Sequence, residues 1–352
     1  MMKPLSLRMV VITALASCSL SAWAGPKWDI SDDSYLQLGF LGQVHATYSQ
    51  DAADQEDIYL RRARIILSGQ VTDGVKFFAE TDNDNAGKNG TTAVSTDIQD
   101  AFVDVRLATN HWVEAGLILL PFSFETKSSA GSLLGLDYNS EVIKLVNTFV
   151  WRDYGAEFHG NFGKKFAYRA GIFDGYDDTA STKNPEAPLR YTGHAALNLV
   201  GEVETGWFYS QERLADKPYL SIGVGGDYQE EATRKVSTNK APDTITDNEA
   251  IVVDFQSGWK MGPLAATMNG GWFNWDNAAF KGDTLFVEAG LRHDQVQVTG
   301  KLSAQEPDKG DSKQDTTVGV NYFMKKHNAR CGLEYRWGDS ADQYLLGLQF
   351  LL

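Results

Sequence analysis

The run Arg61-Arg62-Ala63-Arg64, inside the stretch YLRRARIILSGQVTDG, places three guanidinium groups within four residues. Arg62 and Arg64 are two apart, so on an extended strand they share a side. Their planar forks can hold a passing oxyanion through paired N–H bonds, or form a ladder with carboxylates such as Glu80, Asp100 or Asp104. Other reactive residue types are spread thinly. The six histidines contain no HExxH motif and no pair four residues apart, so a metal-hydrolase arrangement is not expected. His159 and His194 fall on the polar side of their segments, which leaves no exposed Ser-His-acid set, so no enzyme is expected. The segment TDNDNAGKNG (81–90) has calcium-loop spacing but no closing acid at the twelfth place, and it reads as a solvated loop. The glycines of VGGDY and GGW precede no helix and read as strand glycines, not phosphate cradles. No cofactor and no metal are implied.

The chain opens with a basic head (Lys3, Arg8), an apolar run from Met9 to Leu20, and Ala22-Trp23-Ala24 before Gly25. That pattern predicts an export signal over 1–24 and a mature domain over 25–352. Leu15-Ala16-Ser17-Cys18 offers a second reading, a lipoprotein box with an acylated Cys18. The net charge of −14 becomes −16 once the segment carrying Lys3 and Arg8 is removed. Acidity of that size argues against nucleic acid as a partner. Conventional cleavage leaves Cys331 alone, so neither an internal disulfide nor a cysteine metal site can form. Past the signal, no apolar run reaches the roughly 20 residues of a spanning helix.

The elements that must position the arginines alternate with period two. Leu36, Leu38, Phe40, Val44, Ala46 and Tyr48 oppose Gln37, Gln43, His45 and Thr47. Ala101, Val103, Val105 and Leu107 oppose Asp100, Phe102, Asp104 and Arg106. About sixteen such segments run from Ser34 to Leu352. Short links (72–74, 108–111, 163–165, 260–263, 293–294, 324–327) alternate with longer polar ones (49–57, 83–96, 121–151, 174–190, 229–248, 276–283, 305–313). Two links break the alternation: 200–216 is long where a short one is due, and 338–342 is short. Short turns on one rim and long loops on the other predict a transmembrane antiparallel β-barrel of about sixteen strands in a bacterial outer membrane, contacting lipid and lipopolysaccharide.

Backbone chemistry fixes the sidedness. In hydrocarbon every N–H and C=O needs a partner, so a sheet spans only when it closes on itself. A basic residue facing lipid at the midplane costs about 2–4 kcal/mol, so Arg62 and Arg64 must face a wet lumen while Ile65 and Leu67 face lipid. Arg61 has lipid-side parity and is expected to snorkel from the strand's outer end. Aromatics near segment ends (Tyr35, Tyr48, Trp112, Trp151, Tyr154, Trp259, Trp272, Trp275, Trp337, Tyr344) read as girdles at headgroup depth. A β-sandwich would hold far fewer strands.

YLRRARIILSGQVTDGVKFFAETD, DIQDAFVDVRL, VEAGLILLPFSFET and FVWRDYGAEFHGNF…FAYRAGIFDG resemble, in that order, the phosphate-selective porin O and P family, closely over 34–175 and diffusely afterwards. The resemblance implies sixteen-stranded homotrimeric channels in which the third loop folds inward and basic residues line a path for phosphate-like anions. Arg62, Arg64 and Arg152 match the family's arginines, and Pro121–Trp151 occupies the constriction-loop position with Lys127 and Lys144 as its cations. With Lys76 and Arg106 on the lumen side, these seven are the expected anion-binding residues. The sequence departs from the family at Leu117-Ile118-Leu119-Leu120, which replaces a polar stretch, and in lumen acids nearly as numerous as the cations. The expected function is passive diffusion of small anions such as phosphate. A general or weakly cation-leaning pore and a non-conducting scaffold around a partner protein are the alternatives.

Overall fold

The computed structural model describes residues 25–49, 55–83, 85–91, 94–146, 151–177, 184–234, 244–340 and 342–352. The expected signal over 1–24, with Cys18, lies outside the described residues. Strand β1 (Lys27–Asp29) is a short addition beside the start of β2 (Tyr35–Ser49). The barrel then runs β3 (Glu56–Thr72), β4 (Val75–Asp82), β5 (Asp97–Ala108), β6 (His111–Leu119), β7 (Arg152–Phe162), β8 (Phe166–Phe173) and β9 (Arg190–Val200). It continues through β10 (Tyr219–Arg234), β11 (Thr244–Met261), β12 (Leu264–Asn277), β13 (Phe280–His293), β14 (Val296–Pro307), β15 (Lys313–Lys325), β16 (Ala329–Gly338) and β17 (Gln343–Leu351). Every strand pairs antiparallel with its sequence neighbour, and β17 returns to β2 through Leu351↔Leu41 to Gln343↔Ser49. The sheet is thus a closed sixteen-stranded barrel with no free edge, the condition for satisfying backbone groups in lipid.

Side chains obey the expected parity. Ile65 and Leu67 are exposed on the outer wall, while Arg62, Arg64 and Ile66 are buried inside. On β17, Tyr344, Leu346, Leu348 and Phe350 all face outward. Arg61 is the exception to the expectation. Gln43 pairs with Arg62 but Val44 pairs with Leu60, so Arg61 is the extra residue of a β-bulge. The bulge re-aims it inward, and it does not snorkel toward the lipid face.

The girdle reading holds in part. Tyr48, Tyr154, Trp259, Trp272, Trp337 and Tyr344 are exposed on the outer wall, but Trp151 and Trp275 are buried inside the barrel. Trp112 and Tyr35 line an internal cavity. Trp275 sits three positions from Trp272, and odd spacing on a strand reverses the side.

The rims are less regular than the expected alternation. Between β12 and β13 the link shrinks to two residues, because Asp276↔Lys281 and Asn277↔Phe280 continue the ladder. On the short rim Asp73-Gly74 makes the expected tight turn, with Gly74 at φ 91°. A Cβ there would be strained and would meet the Arg106 side chain at 3.3 Å.

Candidate functional site at the waist of the barrel

Two connections enter the lumen, one from each rim. The third long loop, 120–151, carries helix α1 (Ser140–Val146) and is anchored to strands around the wall. The Phe124 N–H donates to Asp254 of β11 (2.7 Å), Gln43 of β2 donates to the Ala130 carbonyl (3.0 Å), Asn321 of β15 to that of Leu134 (2.9 Å), and the Leu136 N–H to Glu334 of β16 (2.7 Å). Its apolar residues find counterparts on the inner wall. Phe122 packs on Phe273 and Trp275 at ring separations of 5.9 and 5.5 Å. Leu136 lies over Gly332 and Gly347, where any Cβ would come within 2.9 Å of it.

The segment 201–218, which joins β9 to β10 on the short rim, is the irregular stretch that broke the sequence alternation. It runs inward and docks on the loop. Tyr209 N–H donates to the Lys127 carbonyl (3.0 Å), Ser129 N–H to that of Tyr209 (2.9 Å), and Glu212 N–H to that of Ser132 (2.9 Å). Glu212 also accepts from Thr267 (2.9 Å) and Gln297 (2.6 Å) on the wall. Trp207 and Phe208 pack against Phe78, and Trp207 also against Phe102. The Glu125 carboxylate joins the two inserts, accepting from the Asn139 N–H (2.6 Å) and from Gln211 (2.6 Å). Burial pushes this carboxyl up to about 7.

Four of the seven expected residues meet at or beside the waist, each committed to partners. Arg62 donates to Gln43 (2.6 Å) and to Asp137 of the loop (3.0 Å), and lies 5.2 Å from the Tyr138 ring. Arg64 bridges Glu80 (2.7 Å) and Asp82 (2.8 Å). Arg152 holds Asp100 (2.9 Å). Lys127 is fully buried, with Glu157 and the Leu119 carbonyl at 2.8 Å and Glu114 at 3.4 Å. The other three lie elsewhere. Lys144 is exposed on α1 and paired with Glu141. Arg106 is on the short rim, bonded to Asp73 at 2.5 Å. Lys76 stands over Trp112, 4.7 Å from the ring centre. Asp82, part of the calcium-like segment, is turned to Arg64.

Three residues outside the expected set complete the waist. Arg61, delivered by the bulge, donates to Asp137 at 2.5 Å, so two guanidinium groups share one carboxylate. Burial alone would raise the Asp137 carboxyl, but Arg61 and Arg62 hold it well below the usual carboxylate range. Arg330 of β16 is buried and donates to the carbonyls of Leu133 (2.7 Å) and Gly135 (3.1 Å). Among the described residues it has no carboxylate within bridging distance. The usable sequence signal was parity. Phe78, Phe102, Phe273, Trp275 and Phe286 lie on the lumen side, where a simple aqueous channel would carry polar groups. Facing apolar inserts explain them.

Free volume follows from this packing. On the short-rim side is a cavity of about 340 Å³, and on the long-loop side one of about 230 Å³. A third, separate void of about 10 Å³, room for about one water, lies where the loop packs on the wall, among Arg64, Glu80, Arg152, Tyr138, Phe208 and Leu351.

Solved structures with the same fold include OmpT of Vibrio cholerae lacking loop L8 (12% identity, TM-score 0.61, covering 91% of this chain and 100% of that one). OmpF of Salmonella typhi in complex with daunomycin aligns at 13% identity and TM-score 0.62 over 91% of this chain and 98% of that one. The outer membrane channel DcaP of Acinetobacter baumannii aligns at 13% and 0.58 over 92% and 99%. No curated protein matches the sequence. The family model described as phosphate-selective porin O and P matches residues 36–276, and the chain belongs to that family of integral outer-membrane channels, which carry out no catalysis.

Proposed function

We propose that this porin passes small anions, phosphate-sized oxyanions among them, by passive diffusion through a lumen narrowed by its third loop. The observation that carries the reading is the set of three guanidinium groups fixed against the loop, two of them on one carboxylate. Arg61 and Arg62 share the single carboxylate of Asp137, and Arg330 is held by carbonyl groups. Fixed cations of this kind offset the dehydration of an anion through weak successive contacts, which let it leave again. The third loop and segment 201–218, docked on one another inside the lumen, are the elements that narrow the path. The chain acts as a homotrimer, in line with the trimer form of one structural neighbour, with its outer rim against lipopolysaccharide.

One observation favours a general pore instead. Arg64 and Arg152 face three carboxylates, Glu80, Asp82 and Asp100. Reversal potentials of the full-length protein in a planar bilayer under a KCl gradient separate the two. Chloride preference, with phosphate reducing the chloride current, supports the anion reading; potassium preference overturns it. A complete absence of conductance leaves only the scaffold.

A further inference from the structure

The cavity of about 340 Å³ at the short rim is chemically unlike the waist. Several aromatic side chains line it: Tyr35 at the start of β2, Trp112 on β6, and Trp207 and Phe208 on the inward segment. The volume falls within the roughly 300–1,000 Å³ of small-molecule sites, which are mostly apolar with a few placed polar groups.

Most charges that line it are already spent. Asp104 accepts from His159 (3.0 Å) and from the Trp207 indole N–H (2.9 Å). Arg169 is bonded to Glu157 and to the Gly206 carbonyl. Glu204 pairs with Arg213 at 3.2 Å. Lys76 differs. Its register partner across the ladder is Asp104, which is occupied, and its ammonium lies over the Trp112 face. Among the described residues it makes no hydrogen bond or ion pair. A ligand entering the cavity therefore meets one uncommitted positive charge beside aromatic faces.

We propose that this cavity binds aromatic carboxylates, the carboxylate on Lys76 and the ring against Trp112 and Trp207. Inorganic phosphate fits poorly, because one ammonium among ring faces supplies few of the donors its oxygens require. An aromatic cation meets the wrong sign. The site depends on the anion reading for nothing but the sign of charge, and it is tested by binding rather than conduction, so either can fail without the other.

The test is isothermal titration calorimetry on the full-length protein in detergent micelles, with benzoate, cyclohexanecarboxylate, inorganic phosphate and benzylammonium as probes. Benzoate is expected to saturate one site per chain and to bind at least several-fold tighter than cyclohexanecarboxylate. Lys76→Gln should weaken benzoate tenfold or more, Lys76→Arg should restore it, and Trp112→Leu should abolish the preference for the aromatic ring. Lys309→Gln, in the loop after β14, is the charge-matched control and should change nothing. Benzoate binding unaltered by Lys76→Gln, or equal binding of phosphate or benzylammonium, overturns the proposal. Heat-modifiable gel migration of each variant separates lost binding from a barrel that failed to close.

Discussion

At the scale of single residues, the waist is a set of charges whose effect depends on who shares whom. A buried ion pair stripped of one member costs about 3–5 kcal/mol, because the remaining charge is left in a poor solvent. That makes Arg64 with Glu80 and Asp82 a structural fixture as much as a contact for solute. Glu125 has a different signature. Its carboxyl, raised by burial to about 7, binds a proton more tightly in the folded protein than in the unfolded chain. Stability should therefore fall as pH rises from about 4.5 to about 7 and then level off. Glu125→Gln is expected to remove that slope, a difference on the order of 3 kcal/mol across the window. Guanidinium unfolding at pH 4.5, 6 and 8, followed by tryptophan fluorescence, checks it; parallel pH profiles for the two proteins would refute it.

At the scale of elements, two local irregularities matter more than the regular strands. The bulge at Arg61 turns a residue of outward parity into a second partner for Asp137. The turn 201–218 is long enough to reach the third loop from the opposite rim, and its backbone adds a short ladder to that loop. Loop ends joined through a few hydrogen bonds belong to the less stable part of a fold and can open locally. Replacing 202–216 with a short glycine-containing turn should leave the barrel closed and raise single-channel conductance several-fold, because Trp207, Phe208 and Tyr209 leave the lumen. Unchanged conductance in that variant would place the barrier in the third loop alone.

At the scale of the molecule, stability comes from two unlike surfaces. The outside is an apolar band in contact with acyl chains, and the inside is a polar wall interrupted by an apolar core that holds the inserts. Val224 on β10 pairs directly with Val253 on β11, and both point outward. Val224→Arg should destabilise the folded barrel by about 2–4 kcal/mol, the cost of a basic group facing lipid. A lumen-side substitution such as Thr317→Asn, at a half-buried residue lining the long-loop cavity, should cost far less. Unfolding titrations in lipid vesicles make the comparison, and equal effects on the two faces would contradict the assigned sidedness.

The sequence by itself determined what depends on strict periodicity: the period of two, the closing of about sixteen strands, and the lumen side of Arg62 and Arg64. Arg152 was expected in the lumen only through the family resemblance, against the outward parity it shares with Tyr154. Alternation is a local property of the chain, and the lipid penalty leaves one register. The sequence also marked 200–216 as irregular and Leu117-Ile118-Leu119-Leu120 as an apolar departure just before the third loop. Only the tertiary structure decided where Arg61 points, since one bulged residue resets parity without any change in residue type. The same holds for the partners of Arg62, Lys127 and Arg152, whose carboxylates lie far away along the chain. Which charges remain uncompensated at the waist is set by contacts between the inserts and the wall, and these arise only when the barrel closes around them.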